Sequence, residues 1–326
     1  MKKIIQAGLF IGLICGSNLS AKFIVNVSNG FITSEALAPK AKIEEKEVAY
    51  DATYSYNVKT LLPYIGMIDY DSSTAKSAKD KSTFGGVYAN VGNLNYLLEL
   101  SYGYINTAYK DSSLSNLKQH DIALMYSRYY ESYMLKGGLH HIVTTDTDLN
   151  DGDVLALALG GYKFVDYDKY SYGVEGYYSY YKDGHNDSGV SKKISIMQVT
   201  PYLGFFKTFD INNKNSIDAK VNYIVANEYS KKNYTSYEIS DTYFYKSFFT
   251  TLKATFGEMK TGVKDGGMSV INTMDLMKSG YSIKVGYYLD ANFIVSASYG
   301  LDTYREYRKS EDGTNSLASA SLSYSF

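Results

Sequence analysis

The sequence has few of the residues that build covalent or metal-centred frameworks. Its 326 residues include one cysteine, no tryptophan and four histidines. The cysteine, Cys15, lies in a segment that we expect to be removed, so a disulfide or thiolate-metal framework is excluded. The histidines, His120, His140, His141 and His185, are too scattered for a metal site, and consecutive residues of a strand point to opposite faces. We expect no metal and no cofactor.

Catalytic and nucleotide-binding fingerprints are also lacking. The sequence has no GxSxG, HExxH, P-loop or dinucleotide motif. The most enzyme-like cluster is His141 beside Asp146, Asp148, Asp151 and Asp153. A hydrated surface loop that binds divalent ions explains the same residues equally simply. We therefore expect that the protein is not an enzyme.

Long apolar runs are limited to one short segment at the start. Residues 4–14 are apolar except for Gln6, follow Lys2 and Lys3, and precede a small polar stretch at residues 17–21. A spanning helix needs about 20 apolar residues, so this pattern predicts an export signal at residues 1–21 that is cleaved near Ala21. Because no second run follows, a helical membrane protein is excluded. Removing the two lysines leaves 31 basic against 34 acidic residues, a net charge of −3 in place of −1, which does not favour nucleic acid as a partner.

Tyrosine is abundant, and it recurs in an alternating pattern. The chain has 36 tyrosines but only 3 prolines. From about residue 50, segments of about 10–14 residues alternate apolar and polar side chains, as in Leu98, Leu100 and Tyr102 against Glu99 and Ser101. Long polar loops and short turns separate these segments in alternation. The pattern predicts antiparallel hairpins with tyrosine rings on one face.

The last strand carries the most specific pattern. Ala318, Ala320, Leu322, Tyr324 and Phe326 share one face, and four serines occupy the other. The ending resembles the C-terminal signal of Gram-negative outer-membrane β-barrels, which has a terminal Phe and an aromatic residue two positions before it. The resemblance rests on Tyr324 and Phe326, which would form the barrel-assembly signal.

The resemblance implies an all-β fold, a closed antiparallel transmembrane barrel with short periplasmic turns and long external loops. We count about 14 strands, with 12 to 16 possible. Residues 51–326 would form the barrel, and residues 22–50 a periplasmic N-terminal extension or plug. Since the C-terminus must be periplasmic, counting back places residues 260–280 outside the barrel as a long loop. Expected partners are outer-membrane lipid, lipopolysaccharide and the barrel-assembly machinery.

A barrel of this size is wider than wall side chains alone can fill. The side chains that we predict to line the lumen as pore-lining candidates are Glu99, Lys136, Glu175, Asp218, Lys220, Lys253 and Lys284. Charges there either select ions or pair across the wall. We expect a porin-like channel for passive diffusion of ions and small hydrophilic solutes. The alternatives are an adhesin-like or structural surface barrel with an occluded lumen and, with less support, a plugged transporter for hydrophobic substrates.

Overall fold

Period-two alternation of apolar and polar side chains builds long antiparallel strands. The computed structural model describes residues 58–70, 79–93, 95–110, 116–144, 151–165, 168–185, 191–210, 212–271, 275–289, 292–305 and 312–325. The strands are β1 (Val58–Tyr70), β2 (Lys79–Gly92), β3 (Tyr96–Tyr109), β4 (Leu117–Tyr129), β5 (Tyr133–Thr144), β6 (Gly152–Val165), β7 (Asp168–His185), β8 (Ser191–Thr208), β9 (Asn213–Ala226), β10 (Asn233–Tyr245), β11 (Phe248–Met259), β12 (Val263–Lys264), β13 (Ser269–Val270), β14 (Leu276–Tyr288), β15 (Phe293–Arg305) and β16 (Asp312–Ser325).

Fourteen of these strands close into one barrel. Each pairs antiparallel with its neighbours, and β1 pairs with β16, which brings Leu61 beside Tyr324. Closure leaves no open sheet edge, so the backbone N–H and C=O groups of the strands find partners within the wall. The predicted fold class and strand number are confirmed. Among the described residues, no helix is long and apolar enough to cross a membrane.

The two ends of the barrel differ. Short connections such as residues 93–95, 130–132 and 246–247 lie at one end, which we call the turn end, together with the start of β1 and the end of β16. Longer connections, such as residues 110–116 and 227–232, lie at the opposite end, which we call the loop end. The predicted alternation of short turns and longer loops is thus present in the described residues.

The outer surface is an apolar band between rows of aromatic rings. Leu139, Leu157 and Leu203 are among the exposed residues of the band. Aromatic pairs near the turn end include Tyr130 with Tyr133 at 4.4 Å and Phe293 with Tyr324 at 4.5 Å between ring centroids, and Phe256 pairs with Tyr281 at 5.5 Å near the loop end. Rings at both ends of an apolar band are the arrangement expected of a lipid-facing barrel.

The connection between β11 and β14 departs from the prediction. Residues 260–280 were expected outside the barrel as a loop, but Leu276–Gly280 belong to β14, and residues 260–271 are buried. Residues 260–271, which we call the crossing loop, contain β12, a 3-10 turn at Asp265–Gly267 and β13, which pairs with β12. The prediction was wrong because counting strands fixes only the end from which a loop leaves, and not whether it then folds inward.

Candidate functional site

The crossing loop spans the lumen from one wall to the other. It leaves β11 and returns to β14, yet its tip at Gly267 lies against Met125 on β4 and Ala156 on β6. The strand between these two, β5, is seven strands from β14 in either direction around the barrel. The loop therefore reaches the diametrically opposite wall.

Apolar side chains fill the space around the loop. Met259, Val263, Met268, Val270 and Ile271 are at most 8% exposed and form one cluster with inward-facing wall residues. The wall contributes Tyr88, Ala123, Met125, Ile142, Val154, Ala156, Tyr177, Tyr181, Ile194, Ile196, Ile224 and Tyr234. Burial of apolar area contributes about 25 cal/mol per Å², so this packing favours the inserted position. The inner wall around the loop thus contributes twelve apolar side chains to this cluster.

One wall side chain, that of Gln198, forms hydrogen bonds with the backbone of the loop. The Gln198 amide nitrogen donates to the Val263 carbonyl at 2.7 Å, and its oxygen accepts from the Val263 N–H at 2.8 Å. Thr200 and Asn222 contact the same amide nitrogen at 3.0 and 3.3 Å. Gln198 is 1% exposed. The Gln198 side chain thus supplies hydrogen bonds that a neighbouring strand would supply on this side of β12, and it fixes the position of the loop along the barrel axis.

Charged residues near the loop tip meet charges of the wall. Lys264 Nζ lies 3.7 Å from Glu238 Oε2, and Asp265 Oδ1 lies 3.9 Å from Lys253 Nζ. Lys253 also pairs with Glu238 at 2.9 Å. Burial raises the pKa of the Asp265 carboxyl and lowers the pKa of the Lys264 ammonium. The inserted loop therefore buries two charged side chains, Lys264 and Asp265. Wall charges of opposite sign partly compensate the free-energy cost of removing them from water.

A second loop contacts the first residues of the crossing loop. Tyr229, in the β9–β10 connection, shares a hydrogen bond with Thr261 at 3.0 Å, and Lys260 Nζ lies 4.0 Å from the centre of its ring. Thr261 and Asp265 have φ values of 51° and 52°. Left-handed backbone is unfavourable for residues other than glycine. The loop thus stores backbone strain near its base and at its turn, and the packing described above holds it in place.

The tip itself is held by a histidine. His140 Nδ1 lies 3.1 Å from the Gly267 carbonyl oxygen, and His140 is 2% exposed. Gly267 has a φ of 95°, and a Cβ there would stand 2.8 Å from that of Ala156. Only glycine fits both the backbone conformation and the close approach to the wall.

The seven side chains predicted to line the lumen all lie on inward positions of their strands. Glu99 pairs with Lys136 at 2.8 Å, and Lys220 lies 3.4 Å from Glu175. Exposure differs between these pairs: the side chains of Glu99 and Lys136 are 2% and 8% exposed, whereas that of Lys220 is 25% exposed. Lys253 pairs near the loop tip as described, and Asp218 and Lys284 are half-buried. A conducting role for these residues stays a prediction.

Two other predicted features lie at the rim or outside the described residues. His141 faces outward and contacts Asp153 at 2.7 Å, with both side chains more than half exposed; His140 faces the lumen, so the two histidines lie on opposite faces as predicted. No group of three or more possible metal ligands occurs among the described residues. Of the barrel-assembly signal, Tyr324 faces outward, while Phe326 lies outside the described residues. The export signal and residues 22–50 also lie outside them and stay predictions.

Sequence reasoning missed the residues that hold the crossing loop. Gln198, Gly267 and Tyr229 look ordinary in the sequence, and His140 was considered only as a metal ligand. A signal was nevertheless present: the run Lys260 to Asp275 contains three glycines and five apolar residues between charged ones, a composition unlike that of the polar loops elsewhere.

The closed antiparallel barrel, the apolar exterior with its aromatic rings and the alternation of short turns and longer loops define the class: the chain has the architecture of an outer-membrane β-barrel. No protein-family model and no curated protein matches the sequence. Similar solved structures include the CymD monoaromatic hydrocarbon channel, with 8% identity, a TM-score of 0.48, and coverage of 83% of this chain and 88% of that one.

A Pseudomonas aeruginosa FadL homologue is 11% identical with a TM-score of 0.43, covering 83% of this chain and 90% of the other. The outer membrane protein Omp33 of Acinetobacter baumannii is 10% identical with a TM-score of 0.43, covering 83% of this chain and 99% of the other. The similarity is one of barrel architecture.

Proposed function

We propose that this protein is a gated channel of the outer membrane that admits small apolar or amphipathic solutes, with the crossing loop as its gate. The observation that carries the proposal is that the loop extends from β11 and β14 to the opposite wall and packs its apolar side chains there. A side chain such as Val263 or Met268 occupies the space that a solute of similar character would take. Displacing the loop would expose an apolar passage at the loop end.

The same observation weighs against an open hydrophilic pore. Water-filled porin lumens are lined by polar groups, whereas Ile142, Ile194, Ile196 and Ile224 face inward here. Buried polar and charged side chains lie beside them, among them Gln198, Glu238 and Lys253. A lumen lined by both kinds suits solutes with an apolar body and a polar end.

A surface-interaction barrel is the second candidate, since an inserted loop also suits a lumen that never opens. The two candidates differ in permeability. The protein would be expressed in a Gram-negative host that lacks its own general porins, and uptake of radiolabelled octanoate and arabinose would be measured. A matched variant replaces residues 261–271 with Gly-Ser-Gly-Ser, and the shift in gel mobility between unboiled and boiled protein confirms its folding.

The proposal expects octanoate uptake well above that of the empty host, little arabinose uptake, and entry of both solutes through the shortened variant. Arabinose entering the wild type as readily as octanoate would favour the hydrophilic porin. If neither solute enters through either protein while both fold, the surface-interaction barrel is favoured.

A further inference from the structure

The crossing loop presents two adjacent side chains of opposite charge to the wall. Lys264 and Asp265 are consecutive in the sequence, and their side chains are 2% and 8% exposed. Lys264 Nζ lies 3.7 Å from Glu238 Oε2, and Asp265 Oδ1 lies 3.9 Å from Lys253 Nζ. The closed lumen therefore holds an ammonium and a carboxylate of the gate against a carboxylate and an ammonium of the wall.

The wall half of this arrangement belongs to the barrel and does not depend on the loop. Glu238 on β10 and Lys253 on β11 occupy inward positions of neighbouring strands. Lys253 Nζ lies 2.9 Å from Glu238 Oε1, and the two side chains are 13% and 11% exposed. When the loop moves away, the wall keeps one positive and one negative group side by side.

The gate contacts this wall pair at long distances. Charge-assisted hydrogen bonds between nitrogen and oxygen are about 2.7–2.9 Å long, whereas the two gate contacts measure 3.7 and 3.9 Å. The loop is not free to shorten them, because Gln198 and His140 hold its backbone at Val263 and Gly267. A small molecule with the same two charges lacks this restraint and can approach the wall pair more closely.

Apolar side chains accompany the two charges of the gate. Val263 precedes Lys264, and Met268 and Val270 follow Asp265 within five residues. Each of these apolar residues is at most 6% exposed and belongs to the cluster shared with the wall. A solute that takes the place of the gate therefore combines a zwitterionic end with an apolar body.

An apolar α-amino acid has both features. One carbon atom separates its ammonium nitrogen from its carboxyl carbon, so the two charges lie about 3 Å apart. This separation is close to the 2.9 Å between Lys253 Nζ and Glu238 Oε1, so the ammonium group can face Glu238 while the carboxylate faces Lys253. Because both wall groups are largely shielded from water, each contact is stronger than it would be at an exposed surface.

We propose that Glu238 and Lys253 form a binding site for zwitterionic solutes with an apolar side chain, and that Lys264 and Asp265 of the gate occupy this site in the closed channel. The inference rests on the proposed gating and narrows its class of solute. A zwitterion that enters the lumen competes with the gate for the wall pair, so its binding favours the displaced loop. The solute thus promotes its own passage.

Thiol labelling of the loop measures its displacement without requiring transport. Ser269, which is 4% exposed, is replaced by cysteine in the full chain, and Cys15→Ser removes the native thiol. The refolded barrel in lipid vesicles is treated with a charged thiol reagent while the concentration of an added solute is varied. Each rate is divided by that of a barrel with the exposed substitution Lys232→Cys, which corrects for effects of the solute on the reagent.

Three solutes with the same branched hydrocarbon end are compared: leucine, 4-methylpentanoate, which lacks the ammonium group, and 3-methylbutylamine, which lacks the carboxylate. Leucine should raise the normalised rate at a concentration about tenfold lower than either analogue, since each analogue lacks one charge-assisted contact with a shielded group. Glu238→Gln should remove the advantage over 4-methylpentanoate, and Lys253→Met the advantage over 3-methylbutylamine. Asp241→Asn, a matched loss of charge at an outward position of β10, should change neither advantage.

A second measurement needs no substitution in the wall pair and decides the proposal if those variants do not fold. Equilibrium dialysis compares the binding of radiolabelled leucine to the full chain and to the variant in which Gly-Ser-Gly-Ser replaces residues 261–271. Leucine should bind the shortened variant more tightly, because the gate no longer competes for the site.

Equal effects of leucine and its two analogues on the labelling rate overturn the proposal, and so does a rate that none of the three solutes changes. Leucine that binds the shortened variant no more tightly than the full chain also overturns it. Failure of the gated channel appears elsewhere, as a shortened variant that folds but passes no solute. Because leucine binding and loop displacement are measured without transport, the two hypotheses can fail separately.

Discussion

The Gln198 side chain holds both backbone groups of Val263, with its amide nitrogen 2.7 Å from the carbonyl oxygen and its amide oxygen 2.8 Å from the nitrogen. A wall residue of β8 thus pairs with the crossing loop as a neighbouring strand would. Because both groups of Val263 are away from water, their hydrogen bonds matter more than exposed ones would.

Replacing Gln198 with leucine should loosen the gate. The change leaves the Val263 N–H and C=O without these partners in the inserted position, at a cost of about 2 kcal/mol or more. The ratio of open to closed channels should rise about thirtyfold, measured as open probability in a planar bilayer. Met197→Leu, on the adjacent lipid-facing position, is the control. An unchanged open probability in Gln198→Leu would show that this contact does not hold the gate.

Adding one methyl group at the tip should have a similar effect. In Gly267→Ala the new Cβ would meet Met125 Cε at 2.6 Å and Ala156 Cβ at 2.8 Å, and a φ of 95° disfavours alanine. We expect an open probability about tenfold higher, since left-handed backbone alone costs about 1–2 kcal/mol. In Gly176→Ala, the control, the Cβ meets only Leu157 oxygen at 3.9 Å. Equal open probabilities in the two variants would contradict the tight fit at the tip.

The buried wall pair Glu99–Lys136 should be important for stability. Lys136→Met leaves the Glu99 carboxylate, whose side chain is 2% exposed, without its cation. Loss of one partner of a buried pair costs about 3–5 kcal/mol, which urea unfolding of the barrel in lipid vesicles would measure. The double variant Glu99→Gln with Lys136→Met should recover most of the loss.

The control for this pair is Lys207→Met, which breaks a contact with Asp168 at the turn end where the lysine side chain is 42% exposed. Its cost should be below about 1 kcal/mol. Similar losses of unfolding free energy in Lys136→Met and Lys207→Met would contradict the distinction that we draw between buried and rim pairs.

Tyr324 has a structural role and a predicted assembly role, which can be separated. Its ring stacks on Phe293 with 4.5 Å between centroids, and an aromatic pair contributes about 0.5–1.5 kcal/mol beyond its buried area. Tyr324→Ala and Phe293→Ala both remove the stack and should slow spontaneous folding into vesicles to a similar degree. In cells, Tyr324→Ala should reduce the amount of folded barrel several-fold more, because it also removes part of the C-terminal signal. Equal reductions in cells would contradict the signal.

Strand number, wall faces and turns could be predicted because they follow from local patterns. Alternation places Leu98 and Leu100 towards lipid and Glu99 towards the lumen, and a residue of a strand has only these two choices. Closure then follows from the cost of a free edge in lipid. The inward positions of Asp218, Lys220 and Lys284 were obtained in the same way.

The position of the crossing loop could not be predicted, because it depends on contacts between residues far apart in the sequence. His140 and Gly267 are 127 residues apart, and Gln198 and Val263 are 65 apart. Each contact exists only once the barrel has closed and set the distance between opposite walls. For the same reason the sequence alone did not place Lys264 and Asp265 in the lumen.

The most direct test of the gate is single-channel recording of the refolded full chain in a planar bilayer, beside the variant in which Gly-Ser-Gly-Ser replaces residues 261–271. We expect the full chain to be mostly closed with brief openings, and the shortened variant to conduct a steady current, because nothing from this loop then crosses the lumen. Steady currents of equal size in both proteins would contradict the central claim that the crossing loop closes the channel.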